Sequence, residues 1–97
     1  MSRAVLLVED DEPIRSALQT FLEHEGFPVH AVDNGRDALA LLSRVPTPGL
    51  IVLDLMLPVM SGREFLERRR NDPALRRIPV ANRLSFQTER VSDWDGD

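Results

Sequence analysis

The chain has 97 residues, 42% of them hydrophobic but only 5% aromatic, which suits one small domain with an aliphatic core. A formal net charge of -4 argues against direct nucleic-acid binding, and with no cysteine neither a disulfide framework nor a thiolate metal site can form. No apolar run approaches the roughly 20 residues of a membrane span, and Met1 to Val5 shows no signal-peptide architecture, so the expectation is a soluble cytoplasmic protein without membrane contact.

Ala4 to Val8 is a continuous apolar run, the pattern of a strand covered on both faces. It stops at three successive carboxylates, Glu9, Asp10 and Asp11. Pro13 suits the first turn of a helix, with Asp11 or Glu12 before it as cap and as favourable N-terminal charge. Ile14, Ala17, Leu18, Phe21 and Leu22 follow at helical spacing, and Gly26 marks the end. Val29 to Val32 reads as a second short strand. After the Asn34-Gly35 turn, Ala38, Leu41, Leu42 and Val45 mark a second amphipathic helix, broken by Pro46 and Pro48. Leu50 to Leu53 is another buried strand, bounded by Gly49 and running through Asp54 toward Pro58. Ser61 can cap a third helix carrying Gly62, Phe65 and Leu66, which ends at Asn71-Asp72-Pro73. Ile78-Pro79-Val80 begins a fourth strand. The alternation of strand and helix predicts an α/β fold with a parallel sheet and helices on both faces.

Asp54 is the one charge inside Leu50-Ile-Val-Leu-Asp-Leu-Met-Leu-Pro58. A lone carboxylate in so apolar a segment is costly to bury, and the economical place for it is the open end of the strand. Open α/β sheets hold their ligands there. Parallel topology brings the ends of the first and third strands together, so Glu9, Asp10 and Asp54 should converge. Unpaired, they would repel one another. A hard divalent cation such as Mg²⁺, which takes carboxylate, carbonyl and water oxygens, resolves the repulsion. The plainer alternative is a set of carboxylates tolerating one another at a wet edge, with Asp11 and Glu12 serving the helix dipole. That accounts for Asp11 and Glu12 but not for Asp54.

Val5 to Arg15 (Val-Leu-Leu-Val-Glu-Asp-Asp-Glu-Pro-Ile-Arg), Leu53 to Pro58, Ser61-Gly62 and Ile78 to Val80 together resemble the receiver domain of bacterial two-component response regulators. The resemblance covers about the first 80 residues and implies a flavodoxin-like doubly wound sheet of strand order 2-1-3-4-5. It implies that Asp54 is the phosphoacceptor, taking a phosphoryl group from a histidine kinase or phosphotransfer protein. Mg²⁺ would be the cofactor, bound by Asp10 directly, by Glu9 through water, by Asp54 and by the main-chain carbonyl of Met56. The choice of Glu9-Asp10 over Asp10-Asp11 as the acidic pair rests on family spacing to Asp54. The switch hydroxyl would fall nearest Ser85. Such a domain is a signalling module rather than an enzyme, beyond its own phosphotransfer.

Two departures accompany the resemblance. All 12 basic residues are arginine, so the family's phosphate-binding lysine has no counterpart. After Val80 only 17 residues remain; a helix averages about 11–12 residues and a strand about 5–6, so a second helix-strand-helix set does not fit. The reading is therefore an incomplete receiver of about four strands and three helices over residues 1–80, with a diverged tail over 81–97 in which Trp94 sits among polar residues. An unprotected fourth strand invites a homodimer or domain-swapped oligomer. Arginines 68, 69, 70, 76 and 77 read as a solvated helix end or a partner surface. The alternative function is a pseudo-receiver acting only as a protein-binding and dimerisation module. A haloacid-dehalogenase-type hydrolase would want a second Asp where Met56 stands, and a dinucleotide-binding domain would want glycines where the first strand meets acids.

Overall fold

The computed structural model describes residues 3–54 and 60–82. Within them the elements run β1 (Val5–Val8), α1 (Glu12–His24), β2 (Val29–Val32), α2 (Gly35–Leu42), β3 (Leu50–Leu53), α3 (Gly62–Arg70) and β4 (Val80–Asn82). The strands form one parallel sheet of order β2-β1-β3-β4. This is the flavodoxin-like arrangement, incomplete at four strands and three helices among the described residues.

The strand side chains alternate between two layers. Leu6 and Val8 of β1 and Ile51 and Leu53 of β3 pack with Ala38 and Leu42 of α2 and Phe65 of α3. Val5, Leu7 and Val52 face the other way, onto Leu18 and Leu22 of α1. Both faces of β1 and β3 are therefore covered, which is why these strands are written without a polar break. Each helix begins with a side-chain cap that spares one of its orphan amides. Asp11, Asn34 and Ser61 accept from the main-chain N–H of Ile14, Asp37 and Glu64 respectively. Gly26, at φ +92°, ends the segment after α1, a conformation glycine adopts without a Cβ penalty.

The structure differs from the sequence reading in three places. First, α1 meets the sheet along Ile14, Leu18 and Leu22, while Ala17 is exposed and Phe21 is 52% exposed. A sheet contacts a narrower stripe than the apolar pattern allows, and the i, i+4, i+8 row alone takes it. Second, β4 begins at Val80 rather than Ile78. Ile78 N–H closes a turn on Leu75 O, and Pro79 has no N–H to give a ladder. Third, the arginines do not form one class. Arg68, Arg70, Arg76 and Arg77 are exposed, but Arg69 is 2% exposed. It lies one helical turn beyond Phe65, on the buried face of α3. Its Nε donates to Ile78 O at 3.0 Å and its Nη2 to Arg76 O at 2.9 Å, so it ties the end of α3 to the segment entering β4.

The two helical phenylalanines give a direct test of this packing. Phe65→Ala empties a fully enclosed site and should lower stability by about 3–5 kcal/mol. Phe21→Ala should change it by no more than about 1 kcal/mol. Urea unfolding of both variants, monitored by circular dichroism, checks the contrast.

Candidate functional site

The register between β1 and β3 builds the site. Val8 stands opposite Leu53, so the chain leaves both strands at the same level, and Asp54 N–H still reaches Val8 O at 3.3 Å. The residues that follow are Glu9 and Asp10 on one side and Asp54 on the other. One carboxylate oxygen from each of the three lies within 4.8 Å of the others. Glu9 is fully buried, Asp54 half-buried and Asp10 exposed, so the cluster grades from the sheet interior to water.

Glu9 is held at three points. Its N–H donates to Val32 O at 3.0 Å, carrying the ladder to β2 one residue past β1. Its Oε2 accepts the N–H of Asp11 at 3.0 Å, and its carbonyl accepts Nη1 of Arg15 at 2.9 Å. The next acids turn elsewhere. Asp11 caps α1 through its Oδ1, and Glu12, with its side chain 82% exposed, stands 3.9 Å from Arg15. Of the four consecutive acids, the structure thus brings Glu9 and Asp10 to Asp54 and gives Asp11 and Glu12 to the helix. Met56 and Ser85, and Trp94 with the rest of the tail, lie outside the described residues. Arg15 is the contact to the site that the sequence did not single out. The available signal was its place one turn into α1, four residues beyond the cap.

The donor set suits a hard cation. All three groups are carboxylates, and Mg²⁺ binds oxygens at 2.0–2.1 Å, so ligands on opposite sides of it stand about 4.2 Å apart. A spread within 4.8 Å is close to that span.

Comparison with known proteins identifies the family. The family model for the response regulator receiver domain matches residues 5–89. The chain belongs to that family. This receiver is 42% identical over 81 residues to the phosphate regulon transcriptional regulatory protein PhoB of Escherichia coli, covering 82% of the chain and 34% of PhoB. It is 37% identical over 88 residues to the two-component response regulator ORR5 of Oryza sativa, covering 91% of the chain and 63% of that protein. The chain spans between about a third and a half of the first curated relatives, with 43% and 31% of two of them covered. Relatives in rice as well as in bacteria mean that the match does not assign the receiver to bacteria. Among solved structures, the chemotaxis response regulator CheY4 of Vibrio cholerae superposes with a TM-score of 0.78 at 29% identity, covering 84% of this chain and 68% of that one. The receiver domain of sensor histidine kinase PA1611 of Pseudomonas aeruginosa does so with a TM-score of 0.78 at 27% identity, over 84% and 66% of the two chains. That structure has a magnesium ion coordinated in its active-site cleft.

The division of labour among the acids has a measurable consequence. Asp11→Ala should cost about 1 kcal/mol by uncapping α1. Asp10→Ala, which removes like charge from the cluster, should cost nothing in metal-free buffer. Thermal unfolding in the presence of a chelator compares the two.

Proposed function

We propose that this receiver accepts a phosphoryl group on Asp54 from the phosphohistidine of a kinase or phosphotransfer protein, with Mg²⁺ at the acidic cluster. The observation that carries the reading is the convergence of Glu9, Asp10 and Asp54 at the carboxyl edge of β1 and β3. Receiver domains are signalling domains, and the step required of this one is its own phosphotransfer. A carboxylate oxygen of Asp54 attacks phosphorus, the bond from phosphorus to the histidine nitrogen breaks, and an acyl phosphate remains. When bound, Mg²⁺ neutralises charge on the transferring phosphoryl oxygens.

The chain's own residues would share the work unequally. Asp54 is half-buried at a strand end, close enough to solvent to meet a partner's side chain. Asp10, the exposed member, offers its carboxylate directly to the ion. Glu9 is buried with Oε2 engaged by Asp11 N–H, which suits contact through water. The family resemblance adds the Met56 carbonyl as a ligand and Ser85 as the switch hydroxyl, while the family's phosphate-binding lysine has no counterpart among the 97 residues. Among the described residues no helix is long and apolar enough to cross a membrane, in keeping with a cytoplasmic setting for phosphotransfer. Self-association is a second element of the proposal. β4 is the outer strand among the described residues, and an outer strand suits addition of a strand from a second copy.

Acetyl phosphate with Mg²⁺ should add one phosphoryl mass to the intact protein, and the gain should vanish with a chelator or in Asp54→Asn. A folded sample that gains no mass would leave only the binding-module alternative. Sedimentation velocity across a hundredfold concentration range should show a dimer forming; a constant monomer mass would remove the edge-pairing proposal and leave the phosphoacceptor reading intact.

A further inference from the structure

Among the described residues, Arg15 is the cation bonded directly to the main chain of the acidic loop. Its Nη1 donates to the carbonyl of Glu9 at 2.9 Å, while its approach to Glu12 is long, at 3.9 Å, and that partner is 82% exposed. The stronger tie is therefore to the backbone, not to a carboxylate. The Arg15 side chain is only 22% exposed, and its own N–H is fixed to Asp11 O at 2.8 Å. Arginine, loop and helix cap thus form one closed unit. The Glu9 carbonyl accepts from Arg15, the Glu9 carboxylate accepts from Asp11 N–H, Asp11 caps Ile14, and the Asp11 carbonyl accepts from Arg15 N–H. Asp10 lies in the middle of this ring, so the ring sets the direction of its backbone.

We infer that Arg15 is a positioning residue for the divalent cation: it holds the Glu9 carbonyl so that the Glu9 and Asp10 carboxylates are presented together toward Asp54. The inference rests on the metal-site reading given above. It makes a claim whose sign separates it from simple electrostatics. A positive charge beside a cation site opposes the cation, so removing one should tighten Mg²⁺ binding if charge alone matters. If positioning matters, removing it should loosen binding, because groups that orient metal ligands typically contribute tenfold or more to affinity. Arginine suits the role because its planar fork can hold the Glu9 carbonyl with one nitrogen from a fixed direction.

The test is calorimetric titration of MgCl₂ into the whole chain, its Arg15→Ala variant and its Arg15→Lys variant, with circular dichroism to verify the fold. Binding should weaken about tenfold in Arg15→Ala. Arg15→Lys keeps the charge and most of the stem but loses the fork. It should weaken binding in the same direction, and it decides the matter alone if the alanine variant does not fold. Unchanged or tighter Mg²⁺ binding in the folded variants would overturn the inference. Failure of the unsubstituted chain to bind Mg²⁺ would overturn the metal-site reading itself, and with it this role for Arg15.

Discussion

The hydrogen bond from Asp54 N–H to Val8 O carries the pairing of β1 and β3 past Leu53, and the site depends on it. It fixes Asp54 at the same level as Glu9, where like charges repel. The energetics explain why the arrangement persists. Seven residues of the two central strands are buried, and at about 1.5–3 kcal/mol each their burial is worth roughly 10–20 kcal/mol, as an upper estimate. A pair of carboxylates about 4 Å apart repels by about 1 kcal/mol in water and about 4 kcal/mol near a protein surface. The register of the apolar strands therefore dictates where the charges sit. A one-residue slip would relieve the repulsion but would turn every strand side chain to the opposite face, away from the helix it fits.

That dominance explains how a site can be strained locally while the fold around it is ordinary. Glu9 is a fully buried carboxylate; Asp11 N–H meets its Oε2, and Arg15 holds its main-chain carbonyl. The backbone at this turn is thus engaged before any ligand arrives. Preorganisation of this kind moves the cost of assembling like charges into folding, where the apolar layers can carry it.

Much of this was legible from residue order because the pattern has few solutions. Unbroken Val5–Val8 and Leu50–Leu53 require cover on both faces, and the helical periods between them supply it, so the parallel sheet and the meeting of the acids after Val8 with Asp54 follow from topology, while the choice of Glu9 and Asp10 among those acids rests on the family resemblance. The sequence was silent where the outcome depended on packing direction. Phe21 and Leu22 are equally apolar neighbours, yet one is exposed and the other buried, because the angle of α1 on the sheet decides between them. Arg69 reads as one of three consecutive helix-end arginines, and only its place one turn past Phe65 draws it inward to the carbonyls of Arg76 and Ile78. Arg15 enters the sequence reading only as the end of the Val5–Arg15 motif, and the fold supplies the Glu9 carbonyl as its partner.

Charge along the fold follows the same polarity. In a parallel α/β sheet every helix starts at the carboxyl edge of the strands and ends at the opposite edge. The helix starts here carry Glu12, Asp37 and Glu64, and the last turn of α3 carries Arg68, Arg69 and Arg70. These charges face the helix ends they prefer, against which Arg36 and Arg63 in the first turns of α2 and α3 and Glu23 in the last turn of α1 stand as exceptions. The acidic cluster lies on the edge where the helix N-termini converge, whose partial positive charge favours carboxylates and, on the function proposed above, a phosphoryl group. The polarity that lets the site hold three acids together would also favour the added negative charge of a phosphorylated Asp54, so the fold that concentrates the repulsion also limits it.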